Sequence, residues 1–242
     1  MSLFRCPLCA APLQRTDRAY RCPQGHSFDI AAEGHTHLLP VNQKNSKMPG
    51  DDKGMAAARS AFLSEGYYTA GICHALREAG KSVRMAGTDI SKFILKRAAK
   101  RERSIEFAVA SSYHLPVHDG SIDLLINCFS PLALEEFLRV LKPGGRFLYV
   151  VPSERHLWQL KEVLYDQPRP NEVKLTPYEG LRYLEVAQVR DTITVRGQDR
   201  IHALFQMTPY YWKTPKAGAE RLSQLDTLTT EIAFDIHVYE KA

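Results

Sequence analysis

No apolar run in the 242 residues approaches the ~20 needed to span a bilayer, and the amino terminus has no signal-type apolar stretch. The expectation is a soluble, cytoplasmic chain without a membrane partner. Cysteine is scarce and odd in number: five cannot all pair, and three of them, Cys6, Cys9 and Cys22, crowd the first 22 positions. That fits a metal in a reducing compartment better than a disulfide framework. Charge of one sign is also lacking, because 32 basic residues against 27 acidic ones leave only +5. That balance permits a nucleic-acid partner without requiring one. What the chain does have is 44% hydrophobic residues, enough for a full α/β core and a small accessory domain.

The stretch Val83–Tyr149 reads as the middle of a nucleotide-binding α/β unit. V-R-M-A-G-T-D ends a short strand on Asp89, Ser91 opens a helix to about Lys100, and I-E-F-A-V at 105–109 is the next strand. A polar loop through Ser111 and Ser112 leads into the strand Ile122–Cys128, followed by a helix, a Gly-stopped turn and another strand. Strands alternating with helices imply a parallel sheet, and ligands sit outside the carboxyl ends of such strands. Asp89, Ser111, Ser112 and the Asn127–Pro131 segment are therefore expected on one crevice. A carboxylate ending the second strand suits a ribose diol, which leaves both an adenosyl cofactor and a nicotinamide cofactor open.

The amino-terminal spacing is more specific. Cys6-Pro7-Leu8-Cys9, twelve residues, then Cys22-Pro23-Gln24-Gly25-His26 offer three thiolates and one imidazole. Four protein ligands make a closed tetrahedral zinc site, structural because no position remains for an activated water. Buried free cysteines are the alternative. The apolar residues nearby, Leu3, Phe4, Leu8, Leu13, Tyr20 and Phe28, are too few for an independent core, so metal would supply much of the folding free energy.

The order of elements in 83–149, with L-x-x-L-K-P-G-G at Leu138–Gly145, resembles the class I S-adenosylmethionine-dependent methyltransferases. The C-P-x-C ribbon, H-x-F-D-x-A-x-x-G at 26–34, L-L-P at 38–40, E-G-Y-Y-T at 65–69, R-H-L at 155–157, N-E-V at 171–173 and M-T-P at 207–209 narrow it. Together they are similar to the 23S ribosomal RNA guanine-N1 methyltransferases over nearly the whole chain. The P-G-D run at 49–51 leans toward the Gram-negative type acting on hairpin 35 rather than the Gram-positive type linked to macrolide resistance. His35 and His37 depart from the tyrosine and asparagine more usual there, which leaves the RNA-facing role of that turn in doubt. The resemblance implies an α/β, Rossmann-like class I methyltransferase sheet with a small N-terminal zinc-binding domain, and the parts are a zinc ribbon at 1–40, a basic linker at 41–60 and a methyltransferase domain at 61–242. It implies S-adenosylmethionine and structural zinc as cofactors and 23S rRNA as partner, with homodimerisation left open.

The family carries an acid-x-Gly-x-Gly loop after its first strand, immediately ahead of E-G-Y-Y-T, whereas here Glu65 follows Ser64 directly. A strand and its leading helix need roughly 30 residues. Either a segment is missing from the chain as written or a real deletion would abolish cofactor binding. The first is favoured, because losing the central strand would unfold the sheet that the other residues encode. Glu65, Gly66 and Tyr67 are then the tail of the cofactor loop, with Asp89 on the ribose, Ser111 and Ser112 by the adenine and His156 as a further cofactor contact. Asn127 and Phe129, with Pro131 in a degenerate form of the Asn/Asp-Pro-Pro-aromatic turn of amino-methyltransferases, are expected at the acceptor base, with Phe129 stacking it or simply capping the sheet. Cys128 reads as a small buried residue rather than a nucleophile. Lys44, Lys47, Lys53 and Arg59, and the face Lys92, Lys96, Lys100 and Arg103, are candidate phosphate contacts; a solvated helix face is the plainer reading of the second group. Strands near Thr192–Val195 and Glu231–Tyr239, the latter turning Ile232, Phe234, Ile236 and Val238 inward, are expected to add an antiparallel edge. A methyltransferase for a small molecule or protein, and an RNA-binding module with a decayed cofactor site, remain the alternatives.

Overall fold

The computed structural model describes residues 2–40, 50–63, 68–173 and 177–242. They divide into two compact units, Met1–Ala56 with Leu63–Ser121, and Ala57–Phe62 with Ile122–Ala242.

The first unit opens with an antiparallel ribbon of β1 (Gln14–Arg15), β2 (Ala19–Arg21) and β3 (Ser27–Asp29). The next strand, β4 (His35–His37), leaves the ribbon and pairs parallel with β6 (Glu106–Val109), whose other neighbour is the parallel β5 (Ala86–Asp89). Flanked on both sides, β6 buries Phe107, Ala108 and Val109, as apolar strands inside parallel sheets do. Helix α2 (Tyr68–Glu78) contributes Cys73, and α3 (Lys92–Arg101) contributes Leu95, Ala98 and Ala99, to the core against β6. Lys100 and Arg101 in the last turn of α3 suit the negative end of its dipole. Glu106 ties the ribbon to the sheet, since its carboxylate accepts from the Ser2 hydroxyl, from Leu3 N at 3.2 Å and from the Tyr20 hydroxyl at 3.1 Å.

Helix α1 (Lys53–Phe62) occupies ground that the sequence assigned to a linker. The reason is local: Met55 N donates to Asp52 Oδ1 at 2.8 Å, an N-terminal cap, and three alanines follow.

In the second unit the sheet order is β7 (Ile122–Cys128), β8 (Leu141–Pro152), β10 (Thr227–Lys241), β9 (Leu181–Arg196). Strands β7 and β8 are parallel, while β10 runs antiparallel to both its neighbours, so the mixed sheet with an antiparallel end is present. The helix before β8 is α4 (Leu134–Val140), and α5 (Trp158–Leu164) follows it. Two further helices, α6 (Gln198–Gln206) and α7 (Lys216–Ser223), were not anticipated; with α5 they bury Leu160, Leu164, Ile201, Leu204, Phe205 and Leu222. Both terminal strands are longer than their alternating cores suggested. On β10 the expected inward set, Ile232, Phe234, Ile236 and Val238, is half-buried, whereas Ala233, Asp235, His237 and Tyr239 are buried. Aromatic rings account for this, with Phe147, Tyr178 and Tyr183 around Tyr239 at 5.1–5.8 Å, while Arg190 pairs with Asp235 at 2.6 Å.

Among the described residues, β5 is an end strand of its three-stranded sheet and β7 of the four-stranded one. Leu124 on β7 is consequently 39% exposed.

Candidate active site and metal centre

The metal cluster forms as the spacing requires. Ala10 N donates to Cys6 O at 2.9 Å and Gly25 N to Cys22 O at 3.0 Å, closing the two knuckles. Gly25 sits at φ 84, where a side chain would be strained. The four ligand atoms, three Sγ and one imidazole nitrogen, lie within 4.8 Å of one another. Individual separations are 3.5 Å for Cys6–His26, 3.7 Å for Cys9–Cys22 and 3.4 Å for Cys22–His26. Bond lengths of about 2.3 Å to sulfur and 2.0 Å to nitrogen place tetrahedral ligands roughly 3.5–3.8 Å apart, so the donor set fits zinc. Burial raises the Cys6 thiol. At Cys22 burial acts in the same sense, but backbone N–H groups of His26 and Gln24 and the Cys9 and His26 side chains outweigh it and bring the thiol down to about 7.

In the first unit the sheet register sets Asp89 level with Val109, so the loops after β5 and β6 leave the same end. Asp89 Oδ1 accepts from Ser91 N at 2.7 Å, and Ala110 N donates to Asp89 O at 3.1 Å. Ser91, at the N-cap position of α3, gives no side-chain cap; its hydroxyl donates to Asp51 O at 2.6 Å instead. Ser111 Oγ accepts from Tyr113 N at 3.2 Å, holding the loop that carries Ser112. An acid beside a turned loop at level strand ends fits the nucleoside half of an adenosyl cofactor. Glu65, Gly66 and Tyr67, expected against its other half, lie outside the described residues, as do Lys44 and Lys47.

In the second unit Asn127 is buried and its Nδ2 donates to Ser130 O at 3.1 Å and Pro131 O at 3.2 Å. The amide thus shapes the turn, and Phe129 emerges from it at φ 53, 40% exposed. The Phe129 ring lies 5.1 Å from Phe234, which lies 4.4 Å from His156. Ala233 N donates to His156 Nδ1 at 3.2 Å, so the neutral ring carries its proton on Nε2. Burial, with help from the Lys161 charge, pushes His156 down to about 4 and keeps it neutral. Burial pushes Cys128 up to about 12, so no thiolate nucleophile is present at neutral pH.

Of the basic face on α3, Lys96 pairs with Glu33 at 2.7 Å and Arg103 donates to Ala32 O at 3.1 Å. These two side chains hold the ribbon's last turn rather than standing ready for phosphate. The sequence named Phe234 only as an inward residue of the last strand, not as the ring that joins Phe129 to His156, and did not single out Lys161. A signal for Lys161 existed, because it falls one turn from both Leu157 and Leu164, on the apolar side of α5.

The family described as RlmA, N-terminal, matches residues 4–47, and a methyltransferase domain family matches 69–207. A protein of Bacillus subtilis named as a putative 23S rRNA (guanine-N(1)-)-methyltransferase is 27% identical, covering 97% of this chain and 96% of its own. A putative enzyme of the same name from Micromonospora griseorubida is 34% identical over 66% of this chain and 69% of its own. The alignment with the 23S rRNA (guanine(748)-N(1))-methyltransferase of Streptomyces fradiae runs over 259 positions, more than this chain's 242 residues, so that relative has residues facing none here. At 31% identity across 92% of its own length and 90% of the Streptomyces protein, the chain belongs to the family of 23S rRNA (guanine-N1)-methyltransferases.

Proposed function

We propose that this chain transfers a methyl group from S-adenosylmethionine to N1 of a guanine in a hairpin loop of 23S rRNA, acting in the cytoplasm. The observation that carries the reading is the match to the Streptomyces fradiae protein along nine-tenths of both chains, with the zinc ribbon and the methyltransferase domain both present. S-adenosylmethionine, when bound, supplies an electrophilic methyl on a sulfonium, so the protein's task is alignment and exclusion of water. Asp89 would accept from the ribose hydroxyls, with Ser111 and Ser112 bordering the adenine. Asn127 fixes the turn that presents Phe129 as a stacking face for the guanine. N1 lies on the Watson–Crick edge, so the target must be unpaired. His156, with Nδ1 occupied by Ala233 N, offers a donor at Nε2 and is not set to take the N1 proton; nor is Cys128, already protonated.

The zinc ribbon is the grip on RNA shape. One guanine has too few contacts to be chosen among thousands, so selection needs phosphate and groove contacts away from the reacting atom. The long strand β9, with Tyr183, Val186 and Val189 each more than 40% exposed, offers an edge for pairing with a second copy, and a homodimer belongs to this proposal.

The test is to incubate the protein with labelled cofactor and undermodified 23S rRNA and to map the product by primer extension, which N1-methylguanine arrests by blocking pairing. A single arrest at an unpaired guanine is expected. Label on protein, on free nucleosides or on another base position would overturn the assignment.

A further inference from the structure

One buried lysine, with no part in the chemistry described above, joins the loops beside the acceptor end. Lys161 is 5% exposed and lies among the buried Leu157, Leu160 and Leu164. Its Nζ donates to Arg169 O at 2.9 Å and to Asn171 Oδ1 at 2.6 Å, and stands 5.3 Å from the centre of the Tyr210 ring. Among the described residues no carboxylate pairs with it. Burying an ammonium on neutral oxygens and a ring is costly, and a methionine of similar length would fill the space without that cost. The charge therefore contributes something other than packing.

The other ends of its bonds show what that is. Asn171 donates through Nδ2 to Ser153 O at 2.8 Å and through its backbone N to Glu154 O at 2.9 Å. Ser153 N donates to Ala233 O at 3.0 Å, His156 N to Ser153 O at 3.1 Å, and Ala233 N back to His156 Nδ1. A continuous chain of hydrogen bonds thus runs from the ammonium through Asn171 and the turn after β8 to the His156 ring. That ring rests on Phe234, and Phe234 rests on Phe129. Leu157, the segment Arg169–Asn171 and Tyr210, which are apart in sequence, are joined through this residue.

We propose that Lys161 is a positioning residue for methyl transfer: by clamping Arg169–Asn171 onto the turn after β8 and onto Tyr210, it fixes the His156 ring and, through Phe234, the Phe129 platform. The inference rests on the function proposed above. It assigns the lysine no contact with substrate or cofactor.

The variant that tests it is Lys161→Met, assayed with full-length protein and 23S rRNA. Displacing a reacting partner by about 1 Å costs up to about 10²-fold in rate, so kcat is expected to fall 10- to 100-fold while cofactor affinity and the KM for RNA stay within about threefold. Thermal stability should hold or rise, which a merely structural lysine would not allow. Asn171→Leu breaks the same clamp from its other side, and the double variant should lose no more than either single one, because the two act as a unit. Should Lys161→Met fail to fold, Asn171→Leu carries the same kinetic test. Wild-type kcat in both variants, or losses that multiply in the double variant, would overturn the clamp. If the wild-type protein does not methylate 23S rRNA, the proposed function fails and the clamp is decided by nitrogen NMR of the His156 ring: an altered tautomer signal in Lys161→Met supports it, an unchanged one removes it.

Discussion

The apolar cluster around β6, Leu39, Cys73, Leu95, Ile105, Phe107 and Val109 with two alanines, holds a single ring; the cluster around α5 to α7 runs from Leu157 to Leu228 and has Phe205 inside it and Tyr165, Tyr210 and Tyr211 packed against it. The first unit supplements its core with polar links, namely the Cys6–Cys9–Cys22–His26 cluster, the Glu106 carboxylate and the Lys96–Glu33 pair. The second packs rings on rings and buries the Lys161 ammonium inside a hydrogen-bonded loop. The acid proposed for the ribose thus sits in a unit whose order depends on metal and hydrogen bonds, and the ring proposed for the base in a unit whose order depends on shape. The two halves should therefore respond to different insults.

The largest effect should come from the metal. A structural zinc in small modules supplies roughly 10 kcal/mol or more of apparent folding free energy at neutral pH. One zinc per chain is expected by metal analysis, and Cys22→Ser or a strong chelator should unfold the ribbon and abolish rRNA methylation, with the α5 to α7 core still protected from hydrogen exchange. A chelated protein with an unchanged melting profile would remove the contrast at its root. Next is Asp89→Ala, which takes a charge-assisted acceptor from the ribose and should weaken cofactor binding by roughly 1.5–3 kcal/mol. Calorimetry showing wild-type affinity would place the ribose elsewhere.

On the packed side the corresponding break is Gly218→Ala. A helical glycine replaced by alanine ordinarily gains up to about 1 kcal/mol, but here an added Cβ would stand 2.0 Å from Leu164 O, where α7 meets the end of α5. A loss of roughly 1–3 kcal/mol in urea unfolding is expected, with zinc content unchanged. A gain in stability would show that α7 is free to move away.

Smaller still is a pH effect confined to the second unit. Burial, then the Lys161 charge, holds His156 near 4 against an unfolded value near 6.5. Between those values the unfolded chain binds a proton that the folded chain refuses, so this contribution is present above about pH 6.5 and is lost as pH falls toward 4. Discounted for partial exposure, it is on the order of 1–2 kcal/mol. His156→Phe should flatten the fall in stability between pH 7 and 5, and an unchanged slope would deny the depressed value.

How much of this could be read from the chain differs between the same two halves. The metal cluster and the acid on β5 were legible because each rests on local spacing, Cys-x-x-Cys in one case and a strand–acid–helix order in the other. The strand Ile122–Cys128 was legible to the residue, since its period and flanking turn agree. Helix α7 was not, because Lys216–Ser223 has Leu222 as its one large apolar residue, whereas α6 did carry a helical signal in Ile201, Leu204 and Phe205 at i, i+3 and i+4 that went unread. The inward face of β10 misled because period-two alternation is satisfied by either set, and aromatic partners from β8 and β9, invisible locally, decided for Tyr239 and His237. Lys161 was hidden for the opposite reason: a lysine on an apolar helix face reads as an exception, and its partners lie 8 and 10 residues on, in an irregular loop.

The smallest stability effect, and the sharpest question about the second unit, belongs to Phe129. Its φ of 53 is a left-handed conformation that costs a residue with a side chain about 1–2 kcal/mol. Phe129→Gly relieves that cost but gives up the contact with Phe234, about 0.5–1.5 kcal/mol for an aromatic pair. The two nearly cancel, and unfolding stability should change by less than about 1 kcal/mol. RNA affinity should not cancel, because stacking a base on an aromatic ring contributes about 1–3 kcal/mol that glycine cannot replace. Phe129→Leu separates the terms, since it keeps the strain and most of the burial but offers no ring face. If Phe129 only caps the sheet, leucine should bind RNA as well as phenylalanine does, and that result in a gel-shift titration would end its role as the base platform. Loss of RNA affinity in both variants, with folding nearly untouched, would show that the strained turn held by Asn127 serves the substrate rather than the fold.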